Sequence, residues 1–164
     1  MSIGIPVNLG IASLYATASS VAMTVGSSVA AGTLVVIGVA SSGSNSISSV
    51  ADTAGNTWTA GTIQLASGVR LGVYYSRIAN AITSGDSITL TVAGATGFKS
   101  VAAVAIPNSK GPTTADTFDR YDAISGTNTA LSLTQAANMA QADEIVLGLN
   151  FINGSGDTWT EDTA

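Results

Sequence analysis

The chain contains no cysteine and no histidine, few aromatic residues and very little charge. Without histidine or cysteine, neither a Ser-His-Asp nor a Cys-His nucleophilic site can be assembled, and the usual zinc ligand sets are missing. No disulfide pattern marks a redox compartment. Charged residues make up 9% of the 164 positions, against about 25% in an ordinary soluble domain. The deficit is concentrated, because no Asp, Glu, Lys or Arg occurs before Asp52. The basic residues Arg70, Arg77, Lys99, Lys110 and Arg120 are scattered singly, and the net charge is −5. No basic patch exists to neutralise phosphates, so no nucleic-acid partner is expected. The longest apolar run, "LVVIGVA" from Leu34 to Ala40, is too short to span a bilayer, and no membrane partner is expected. The N-terminus "MSIGIPVNLGIASLYATASS" is apolar but lacks a positive n-region, and Pro6, Asn8 and Gly10 interrupt it. It reads as part of a soluble protein, without a cleaved leader.

What the chain has instead is Ser, Thr, Ala and Gly interleaved with Val, Ile and Leu. Short β-branched runs recur between turn signals, the pattern of an all-β sandwich. The expected strands are Ala12–Thr24, Thr33–Ala40, Ser46–Ala51, Thr57–Ile63, Arg70–Ile78, Asp86–Ala93 and Ser100–Pro107, then Ala130–Gln135, Glu144–Ile152 and Thr158–Thr160. In "SITLTVAG", Ile88, Leu90 and Val92 alternate with Thr89, Thr91 and Ala93, so one face is buried. Tyr74 and Tyr75 are adjacent on a strand and must point to opposite faces. Only "TQAANMAQADE" suggests a helical turn. The organisation expected is an uncharged N-terminal arm with the first strand at 1–32. An antiparallel, jelly-roll-like sandwich follows at 33–164, with a long loop at 108–128 and C-terminal strands within 144–160.

Motifs with chemical meaning are sparse. "GATGFKS" (Gly94 to Ser100) lacks the spacing of a phosphate-binding loop and lies between two strands, so it reads as a turn. "DTFDRYD" spaces Asp116, Asp119 and Asp122 around Arg120, with too few oxygen ligands for calcium, and reads as a solvated loop. A Ser-Lys dyad or a carboxylate pair remains formally open, but nothing in the sequence places such groups together in a cleft. No catalytic, cofactor-binding or metal-binding residue is identified, and no cofactor is expected.

The most informative stretch is "VADTAGNTWTAG" (Val50 to Gly61). Asp52 precedes a tight bend, Gly55 and Asn56 take positive φ cheaply, and both flanks are strand-like. This reads as a hairpin whose turn is carried by Asp52, Gly55, Asn56 and Trp58. Trp58 is expected to plug the end of a sandwich. "LVVIGVA" followed by "GNTWT" is echoed by "EIVLGLN" followed by "GDTWT", which suggests reuse of one strand–turn–strand unit.

The same residues carry a resemblance. "AAGTLVVIGVA", "SVADTAGNTWTAG", "RLGVYYSRIANAITSGDSITLTVAG" and "SVAAVAIPN" are similar to a β-sandwich module recurrent in tailed-bacteriophage virion proteins and some bacterial surface proteins. Asp52, Ala54, Gly55, Asn56, Thr57 and Trp58 match its turn motif, with Tyr75 and Asn80 in the next segment. The resemblance implies a structural virion protein on the capsid surface. More narrowly it implies a capsid decoration, or cement, protein contacting the major capsid protein and itself, with a homotrimer favoured. The contacts expected on that reading are Ile3, Ile5, Val7 and Leu9 in the uncharged arm, and Phe118, Arg120, Tyr121 and Trp159 beyond. The alternative is a tail-fibre or baseplate module binding a cell-surface glycan through Trp58, Tyr74, Tyr121 and Trp159. A bacterial surface tile is a third possibility.

Overall fold

The computed structural model describes residues 4–43, 45–66 and 68–109. Its strands in chain order are β1 (Val7–Leu14), β2 (Ala18–Thr24), β3 (Leu34–Ser42), β4 (Ile47–Asp52), β5 (Thr59–Ala66), β6 (Val69–Arg77), β7 (Ser87–Thr96) and β8 (Lys99–Ile106). They form two antiparallel sheets, a larger one in the order β1-β8-β3-β6-β5 and a smaller one in the order β2-β7-β4. The pairing is nested as in a jelly roll, β1 with β8, β2 with β7 and β3 with β6. The expected all-β sandwich is what the chain forms.

The core lies between the sheets and follows the two-residue side-chain period. Ile88, Leu90 and Val92 of β7 meet Val35, Ile37 and Val39 of β3 and Val101 and Ala103 of β8 there. Tyr74 joins this core, while Tyr75 packs on the opposite face of the larger sheet. β1 carries a bulge between Asn8 and Gly10. The Asn8 side-chain oxygen accepts the Gly10 N–H at 2.9 Å, and the extra residue, Leu9, is buried in the core.

Three expectations need correction. The single strand expected over Ala12–Thr24 is broken at Tyr15–Thr17, and its halves, β1 and β2, belong to different sheets. Residues 7–14 are not a free arm, because they pair with β8 along its length and bury Leu9. "VADTAGNTWTAG" is not a hairpin, because β4 pairs with β7 in the smaller sheet and β5 with β6 in the larger. In a nest carried to its end β4 would pair with β5. Here the chain instead turns a corner from one sheet to the other. The strands expected within 130–160 lie outside the described residues.

Candidate functional site

The corner is held by a closed set of hydrogen bonds. Asp52 Oδ2 accepts the Trp58 Nε1–H at 2.7 Å, and Asp52 Oδ1 accepts the backbone N–H and side-chain amide of Asn56, each at 3.3 Å. Asn56 in turn accepts the Asn80 N–H at 2.8 Å and donates to the Asn80 carbonyl at 3.1 Å. The Asn80 amide donates to the Ala54 carbonyl at 2.9 Å. Thr53 exchanges two bonds with Ser87 at the start of β7, N–H to O at 3.1 Å and Oγ1 from N at 3.2 Å. Gly55 sits at φ 75°, in the left-handed region where a Cβ is penalised. The turn residues Asp52, Gly55, Asn56 and Trp58 are therefore brought together, and Asn80 completes the set. The carboxylate and amides face one another, and the half-buried indole of Trp58 packs against the core. This is a brace between the two sheets, with its polar groups satisfied internally.

Sequence reasoning missed a second feature at the far end of β7. In the sequence Lys99 is one of the singly scattered basic residues, yet its exposure is 0%. It follows the inward parity of Val101, Ala103 and Ala105 on β8, and that parity is the signal that could have found it. Its ammonium donates to the Thr96 carbonyl at 2.6 Å, Thr96 Oγ1 at 3.3 Å and the Ala16 carbonyl at 3.2 Å, all uncharged oxygens. Desolvation pulls its pKa below the ordinary lysine value. Ser41, directly across the ladder from Lys99, is buried with no hydrogen-bond partner for its Oγ. These are the residue types of a Ser-Lys dyad. Both are closed to solvent, however, and the lysine's protons are directed at carbonyls and a threonine hydroxyl rather than at Ser41.

Lys99 gives a pH-dependent prediction. Between its folded-state pKa and the ordinary lysine value, the unfolded chain holds a proton that the folded chain has released. The contribution to stability therefore rises with pH across that window. Wild type should gain stability relative to Lys99→Met in urea titrations as the pH rises towards the ordinary lysine value of 10.5, and a pH-independent difference would refute the assignment. Tyr74, raised by burial, acts oppositely at the top of the range and cancels in the comparison.

Exposed apolar surface is concentrated elsewhere. Among the described residues the exposed large hydrophobics are Ile5, Val7, Ile11, Tyr15 and Leu65, with Ile5 at 87%, Ile11 at 71% and Tyr15 at 82%. All but Leu65 lie on or beside β1, an outer strand of the larger sheet. The Tyr15 ring is anchored against Phe98, centroids 4.8 Å apart. Of the expected contacts, Ile5 and Val7 are thus exposed. Leu9 is corrected, because the bulge turns it into the core. Ile3, Phe118, Arg120, Tyr121 and Trp159 lie outside the described residues, as do Asp116, Asp119 and Asp122.

No family model matches this chain, and no curated protein and no solved structure matches it.

Proposed function

We propose that this chain is a structural virion protein, a capsid decoration protein that bridges neighbouring capsomers of a bacteriophage shell. The observation that carries the reading is the uncharged edge strand β1, presenting Ile5, Ile11 and Tyr15 on a stiff sandwich. Exposed apolar groups gathered on a sheet edge favour protein–protein contact. The absence of charge there removes the cost of desolvating ions on docking. The partners are the major capsid protein and further copies of the chain, with a trimer suited to the shell's symmetry. The role is non-catalytic.

Glycan recognition has less support. Tyr74 is in the core and offers no face for stacking on a sugar ring, and Trp58 is half-buried and packs against that core.

The test is a full-length Ile11→Asp, Tyr15→Ser variant. Both side chains are largely exposed, so Tm should fall by no more than a few degrees. Shell binding should weaken by roughly tenfold or more, as for the loss of an interface hot spot. Unchanged binding would exclude β1 as the docking edge.

A further inference from the structure

The nested pairing leaves a gap at the β4–β5 corner. β4 pairs with β7 and β5 with β6, so five strands face three. β4 lies beneath β6, because a Cβ built on Gly72 of β6 would stand 3.7 Å from Ile47 Cδ1 of β4. The same Cβ would stand 3.0 Å from Ile63 Cγ1 of the neighbouring β5. β5 is therefore one strand further out, and no described strand lies opposite it. Exposure follows that count. On β6 the inward residues Gly72, Tyr74 and Ser76 are buried. Across the ladder Ala60 pairs with Tyr74, Ile63 with Gly72 and Leu65 with Arg70, and paired residues share a face. Ala60 is nonetheless exposed, Ile63 only half-buried and Leu65 52% exposed. Each subunit thus has one overhanging strand, β5, apolar on its inner side.

It also has one vacant strand position, beside β4. Thr53 donates its N–H to the Ser87 carbonyl at 3.1 Å, and antiparallel bonding alternates along a strand. Ala51 and Ser49 therefore turn their backbone groups to β7, and Val50 turns its N–H and C=O to the open side. Neither lysine nor proline guards that edge. We propose that the overhang of one copy fills the vacancy of a second, making the β4–β5 edge a two-fold dimer interface. A two-fold axis between the layers, running along the strands, sets the second copy's β5 beside β4 and opposite the first copy's β5. By symmetry the first copy's β5 lies beside the second copy's β4. Each layer then joins the larger sheet of one copy to the smaller sheet of the other. The incoming β5 runs antiparallel to β4, in the direction that β5 of the same chain would take. Ala60, Ile63 and Leu65 of the two copies face one another across a new stretch of core, an isologous contact. Charge permits it. Each chain carries −5, yet β4 and β5 hold one charged residue, Asp52. Its oxygens already accept bonds from Trp58 and Asn56. The interface lies at the opposite border of the larger sheet from β1. It is independent of the virion reading and of the trimer which that reading favours.

The test is analytical ultracentrifugation of the purified full-length protein, in which wild type should sediment as a dimer. Leu65→Lys places a charge where the two copies of β5 meet. It should weaken dimerisation by at least about tenfold, while the subunit keeps its all-β circular dichroism. Ala60→Lys serves the same purpose if Leu65→Lys fails to fold. The chain has no native cysteine, so an introduced thiol reports alone. Stacked sheets lie about 10 Å apart, so a bismaleimide of about that span should join Leu65→Cys to its counterpart in a second copy. Ile11→Cys, at the far border, should stay unjoined. A wild-type monomer or trimer would overturn the proposal. So would a dimer that both lysine variants leave intact, or one joined through Ile11→Cys and not through Leu65→Cys.

Discussion

Deleting residues 1–11 should unfold the sandwich or leave it barely stable. The deletion removes Leu9, fully buried in the core, and the pairing of Val7, Asn8, Gly10 and Ile11 with β8. It also orphans the Gly26 N–H, which donates to the Leu9 carbonyl at 2.8 Å. Truncating a buried leucine alone costs ~3–5 kcal/mol, a large share of the ~5–15 kcal/mol that holds a domain together. Thermal unfolding of the truncated chain should show a Tm lowered by at least about 10 °C, or no cooperative transition. A truncated chain that melts like wild type would mean that residues 1–11 are an arm after all. Lost shell binding in such a deletion cannot be read as a lost contact, which is why the Ile11 and Tyr15 substitutions are the sounder probe.

The second large effect is expected at the corner. Asp52→Ala leaves the Trp58 indole N–H and the Asn56 donors without their carboxylate. Hydrogen bonds to a charged acceptor contribute ~1.5–3 kcal/mol each, less where water can replace the partner, so the net loss should be ~2–4 kcal/mol. In Tm this is roughly 5–15 °C. Trp58→Phe removes the donor together with part of the indole's packing against the core, so it too should destabilise. The double variant should lose less than the sum of the two, because both remove the 2.7 Å bond. Asp52→Ala with a Tm within about 2 °C of wild type would show that the brace does not hold the sheets together.

The strands were legible in sequence wherever local signals suffice. The alternation in "SITLTVAG" gave the correct inner face, and the opposed faces of Tyr74 and Tyr75 followed from their adjacency. Pairing was not legible, because it is decided by distant chain. "DTAGN" specifies a tight bend in either a hairpin or a corner, and the difference lies in β4 finding β7 rather than β5. The break between β1 and β2 falls in "YAT", with no glycine or proline to mark it. Leu9 reads as a contact in the sequence, because "NLG" looks like ordinary alternation until the bulge shifts its register. An unbroken apolar run is the pattern of a strand covered on both faces, and β3 is buried on both. The stripe on β1 could be narrowed only to an uncharged region, since exposure depends on which strand ends at the sheet's edge.

The central claim, a decoration role, is tested most directly by adding the purified full-length protein to phage shells that lack it and imaging them by electron cryomicroscopy. The account predicts saturation at a copy number matching the shell's symmetric positions, with density for the β1 edge against the major capsid protein. Failure to bind the shell, or a few copies confined to one vertex, would contradict it.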